Sequence, residues 1–97
     1  MKHILLSADS MPSVYLVPDE VADNLREYCV NFCDKWLSKS PDAKKYRVHS
    51  VVCYNEKDFI EYLNKWIFPN QPSVFIEKLD SMNNIPEKYS GCKRFDF

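Results

Sequence analysis

A single glycine, Gly91, stands in the whole chain of 97 residues. Loops that cradle phosphate need glycine so that backbone N–H groups can approach the ligand. Neither a P-loop nor a G-x-G-x-x-G turn can be written with one glycine, so the common nucleotide-binding signatures are excluded. Long apolar runs are missing too. The N-terminal run Ile4-Leu5-Leu6 is three residues long, far short of the ~7–15 that a secretory signal needs and of the ~18 that a membrane span needs. A cytoplasmic protein is therefore expected, with Cys29, Cys33, Cys53 and Cys92 held as reduced thiols. Basic excess is also absent. The formal net charge is −1 and the isoelectric point about 6.1, whereas generic nucleic-acid binders draw much of their affinity from surplus Lys and Arg.

What is present is ordinary for a globular protein: 45% apolar and 28% charged residues. A chain of this length suits one domain spanning residues 1–97, without metal or disulfide staples. No repeat, low-complexity tract or linker interrupts it.

The order of elements reads β-β-α-β-α-β. His3–Ser7 is a short apolar strand. Asp9-Ser10-Met11-Pro12-Ser13 is turn-like, and Val14–Val17 is a second strand of β-branched and aromatic residues. Pro18-Asp19-Glu20 opens a helix, with proline at its start and acids in the first turn. The helix is expected to run to about Ser38 or Ser40 and to stop before Pro41. Val21, Leu25, Tyr28, Phe32 and Trp36 form one stripe along it, widened by Ala22, Cys29 and Cys33. Val48–Tyr54 reads as a third strand. Asn55 is a good N-cap for a second helix whose inner face carries Phe59, Ile60, Tyr62, Leu63, Trp66 and Ile67. Pro69-Asn70-Gln71-Pro72 ends that helix. Val74-Phe75-Ile76 is a last strand, reaching as far as Leu79, and from Asp80 the chain is irregular but aromatic.

The expected fold is α/β (or α+β): a small mixed four-stranded sheet with two long helices packed on it. If two strands flanking a helix share the sheet, right-handed parallel crossovers follow. Helices on one face leave the other uncovered, and the C-terminal extension, residues 85–97, is expected to lie across it and bury Phe95 and Phe97.

Chemistry-bearing constellations are few. Cys29 and Cys33 sit one helical turn apart, but a closed zinc site needs four ligands and no second pair exists. Both read as small apolar residues at the margin of the stripe. Cys53 and His49 are four apart on one strand and so stand ~13 Å apart, too far for a nucleophile–base pair. His3, at the start of a strand, reads as structural or exposed. Asp9-Ser10 follows a strand end, where α/β sites concentrate, yet both residues equally make a turn. No cofactor and no metal is expected.

Charge is uneven. Residues 19–34 carry Asp19, Glu20, Asp23, Glu27 and Asp34 against Arg26, and residues 35–47 carry Lys35, Lys39, Lys44, Lys45 and Arg47 against Asp42. Glu20, Asp23, Glu27 and Asp34 share the helix face opposite the apolar stripe. This face is either solvated or a docking ridge for a basic partner. Lys39, Lys44, Lys45 and Arg47 with Tyr46 as a stacking platform form the alternative, a nucleic-acid contact. The leading expectation is a non-enzymatic interaction protein of adaptor, inhibitor or immunity type, binding another protein through Glu20, Asp23, Glu27, Asp34, Phe95 and Phe97. The alternatives are a nucleic-acid-associated regulator using the basic 35–47 region, and a small enzyme with a Cys or Asp nucleophile.

Overall fold

Ile4, Leu5 and Leu6 are apolar at successive positions, and successive strand residues face opposite sides of a sheet. The strand that holds them must be covered on both faces. In the computed structural model, which describes residues 1–8, 11–37, 41, 47–48, 51–52, 55–81 and 84–97, all three are buried. Their strand, β1 (Lys2–Ser7), pairs antiparallel with β2 (Ser13–Val17) at the centre of a four-stranded sheet. The outer strands are β5 (Val74–Lys78), antiparallel to β2, and β6 (Arg94–Asp96), parallel to β1. The sheet order is β5-β2-β1-β6.

Two long helical stretches lie over one face. The first comprises α1 (Asp19–Asp23), α2 (Leu25–Val30) and a wider π-helical continuation, Asn31–Leu37. The second comprises α3 (Glu56–Tyr62) with its π-helical continuation Leu63–Ile67. Along the first, Val21, Ala22, Leu25, Cys29, Phe32 and Leu37 are buried, with Tyr28, Cys33 and Trp36 packed at the margin. They meet Ile4, Leu6, Tyr15 and Val17 from the sheet and Phe59, Ile60, Tyr62 and Leu63 from the second stretch. Asn55 caps α3 through a reciprocal arrangement. Its side chain accepts from the Lys57 and Asp58 amides at 3.0 and 3.2 Å, and Asp58 Oδ2 accepts from the Asn55 amide at 2.8 Å. Such a box satisfies donors that the first helical turn leaves open.

The fold class is the expected one, but its four strands are not the expected four. Within the Val48–Tyr54 stretch, the described residues form a two-stranded hairpin of β3 (Arg47–Val48) and β4 (Val51–Val52), paired with each other and outside the main sheet. The fourth position in the sheet is taken by β6, from the segment read as irregular. The condition for right-handed crossovers is therefore not met: β3 and β4 do not share a sheet with β2 or β5, and β1–β6 is the parallel pair among the described strands.

On the second face of the sheet the cover comes from Leu79 and from Ile85, Tyr89 and Cys92 of the tail. Leu5 and Val14 pack there with Leu79 and Tyr89, bordered by Ile85 and Cys92. Phe95 and Phe97 instead go to the helix face. The pairing Leu6↔Phe95 places Phe95 on the same side as Leu6, and the Phe97 ring lies 5.7 Å from Phe59 and 6.3 Å from Phe32. The reason is the alternation of strand side chains. Once β6 pairs with β1 in this register, Phe95 must follow Leu6 into the helix-side core.

Candidate functional site

β5 is where apolar surface remains uncovered. Val74, Phe75 and Ile76 are 50%, 52% and 39% exposed. Among the described residues this strand is hydrogen-bonded on its β2 side only. Edge strands usually carry charge or are covered, because open N–H and C=O groups with apolar side chains template pairing with another chain.

The local build fixes where this strand sits. The Asn64 side chain holds Ser73 by both main-chain groups, accepting from its amide at 2.6 Å and donating to its carbonyl at 3.1 Å. This ties the entry of β5 to the second helical stretch. At the other end, the Leu79 amide donates to the Pro12 carbonyl at 2.8 Å. Between them the ladder carries a bulge. Val14 faces Glu77 and Tyr15 faces Phe75, so Ile76 is the extra residue. The ring of Phe75 meets Tyr15 edge to face at 5.6 Å, a favourable aromatic geometry.

Beside this pair, Tyr15, Lys57, Ile60 and Phe75 line a cavity of about 300 Å³. It opens between the outer strand and α3. Burial, with a contribution from the nearby Glu56 carboxylate, pushes the Tyr15 hydroxyl up to about 12, so the phenol is neutral at physiological pH. Glu56 itself is buried and accepts from Ser13 Oγ at 3.5 Å. Lys57, one residue on, is exposed at the cavity's rim. Among the described residues, no acid pairs with its ammonium.

The sequence-derived partner surface is distributed differently. Glu20 accepts a hydrogen bond from the Tyr28 hydroxyl at 2.6 Å. Asp23 pairs with Lys2 Nζ at 2.7 Å, and its carbonyl accepts from Lys93 Nζ at 2.9 Å. The hydrogen bond from Lys2 holds the Asp23 carboxyl below its ordinary range. Glu27 and Asp34 are exposed. The structure thus takes two of the four acids into local pairs. Asp23 and Glu27 also line a broader groove of about 580 Å³, with Arg26, Lys93 and Arg94 on its walls. Phe95 and Phe97 are half-buried and rim the core. Lys39, Lys44, Lys45 and Tyr46 lie outside the described residues, as do Asp9, Ser10, His49 and Cys53. Arg47 is placed only by its main chain, in β3.

Of the remaining candidates, His3 is exposed and its ring lies 5.6 Å from that of Tyr89. Cys29 is fully buried, and burial pushes its thiol well above the ordinary range, which removes the thiolate that nucleophilic chemistry needs. Among the described residues no group of three or more His, Cys, Asp or Glu side chains is placed to hold a metal ion, and no helix is long and apolar enough to cross a membrane.

The exposure of β5 has no local signal in the sequence, because Val74-Phe75-Ile76 has the same pattern as an interior strand. The alternation that marks a half-exposed strand is absent there. Only the strand order reveals that it is an edge. No protein-family model matches this chain, and neither a curated protein nor a solved structure matches it.

Proposed function

We propose that this chain is a non-enzymatic protein-interaction domain, of adaptor, inhibitor or immunity type, that engages its partner by strand addition along β5. One observation carries the reading: Val74, Phe75 and Ile76 stand about half exposed on a strand that, among the described residues, is paired on its β2 side alone. Adding a strand to a sheet edge is a recurring mode of recognition, in which the main chain supplies hydrogen bonds and side-chain pockets supply selectivity. An apolar edge of this kind is a liability unless something covers it.

The test is a comparison of two baits, the wild type and Ile76→Lys, in quantitative affinity mass spectrometry from the native host. A charge on an edge strand blocks pairing without disturbing the core, and a thermal melt confirms that the variant folds. Partners that are retained by the wild type and lost by Ile76→Lys support the reading. Identical partner sets for the two folded baits overturn it.

A further inference from the structure

The cavity beside β5 gives that docking edge a side-chain preference. Resting on the strand-addition reading above, we infer that the partner is an extended peptide segment that places an aromatic or branched apolar side chain between Tyr15, Ile60 and Phe75, and a carboxylate on Lys57.

By itself the edge offers little. β5 has five residues and a bulge at Ile76. A bulge bends the strand and interrupts regular pairing, so an incoming strand gains few main-chain bonds. Selective binding then needs an anchor. The anchor site lies against the part of β5 that precedes the bulge, because Phe75 forms one of its walls. Its volume of about 300 Å³ falls at the lower end of the range for ligand cavities, the size for one side chain rather than for a cofactor. The walls named by the structure are two aromatic rings, one branched aliphatic side chain and the stem of a lysine. That lining favours a large apolar occupant, and ring faces and edges favour an aromatic one.

Charge gives the second half of the motif. Lys57 stands at the rim with no acid on it among the described residues, while Glu56 is buried and bonded to Ser13 Oγ. The charge offered at the mouth of the cavity is positive, so its complement is a carboxylate. Side chains on one face of an extended segment recur every second residue. The acid that reaches Lys57 therefore sits two positions from the anchored residue. The motif is apolar-x-acid, or the same in reverse, since the direction of the added strand is set by the partner.

The experiment uses the full chain and a displayed library of random twelve-residue peptides as the probe. Selected peptides are expected to share an aromatic or branched apolar residue with Asp or Glu two positions away, and to protect the amides of β5 in hydrogen exchange. Lys57→Glu is an exposed substitution that leaves the core alone. It should weaken the selected peptides at least ten-fold and, in a fresh selection, exchange the acid for Lys or Arg. Phe75→Ala, also at an exposed residue, should weaken the wild-type selection by a similar factor. Peptides that protect β5 yet lack the motif, or that bind Lys57→Glu unchanged, overturn this inference and leave strand addition standing. Selected peptides that protect no β5 amide overturn both. Self-association of the chain through β5, read by sedimentation and abolished by Phe75→Ala, replaces the peptide with a second copy and overturns the inference.

Discussion

The hydroxyl of Tyr89 donates a hydrogen bond to Glu77 Oε2 at 2.7 Å, and Lys88 Nζ lies 3.4 Å from the same oxygen. Through this one carboxylate the C-terminal segment is joined to the outer strand it crosses. Tyr89 is buried against Leu5 and Val14, so its ring covers the second face of the sheet while its hydroxyl reaches the edge.

The first prediction concerns that bond. The hydrogen bond from Tyr89 holds the Glu77 carboxyl below its ordinary range. A carboxyl lowered by folding stabilises the native state above its unfolded value, and the gain is lost as pH falls through its folded value. Tyr89→Phe should therefore melt below the wild type at pH 7, and the gap should close on acidification as Glu77 protonates. Thermal melts of both proteins between pH 7 and pH 3 check this, and a gap that does not change with pH would show that the effect of Tyr89 does not depend on the Glu77 carboxylate.

At the alkaline end the sign reverses. Burial, aided by Glu56, pushes Tyr15 up to about 12, and burial with the hydrogen bond to Glu20 pushes Tyr28 up to about 12. The unfolded tyrosines ionise near 10, so the unfolded state sheds its protons first. Stability should be fully present below pH 10 and fall between pH 10 and 12. Ultraviolet titration should show Tyr15 and Tyr28 among the phenols that ionise late, together with or after unfolding, alongside Tyr62, which burial also raises, and Tyr89, which its hydrogen bond to Glu77 raises.

Phe32 sits at the middle of the aromatic core, with Trp36 stacked at 5.8 Å, Tyr62 at 5.1 Å and Phe59 at 5.5 Å. Phe32→Ala should cost about 3–5 kcal/mol, the range for deleting a buried large aromatic. Trp66 is 44% exposed, with the Trp36 ring at 6.4 Å and the Lys65 ammonium 5.4 Å from its ring centroid. Trp66→Ala should cost no more than about 1 kcal/mol. Urea titrations of the two variants decide the order.

Deletion of residues 94–97 tests whether β6 belongs to the folded core. It removes the parallel pairing to β1, the bond from the Phe97 amide to the Ser7 carbonyl at 2.6 Å, and two half-buried rings. The rings together should account for about 1.5–3 kcal/mol, half of what full burial would give. A melt shifted down by several degrees is expected. An unchanged melt would place the segment outside the cooperative unit.

The parts of the fold whose physics is local can be read from the residues alone. The stripe from Val21 to Phe32 needs only the helical repeat to be read, and the cap at Asn55 needs only its side chain and that of Asp58. The same holds for the apolar run Ile4-Leu5-Leu6, which announces a strand covered on both sides. Tertiary structure decided which strands pair. Val51-Val52 and Phe95 are equally apolar, yet the place beside β1 goes to β6, because its register puts Phe95 beside Leu6 and brings Phe97 to Phe32 and Phe59. Pairing of that kind joins residues about ninety positions apart, and no local pattern encodes it. It also decided that Val74-Phe75-Ile76 lies at an edge: a strand's exposure depends on whether a neighbour lies beyond it, and the strand's own residues carry no record of that neighbour.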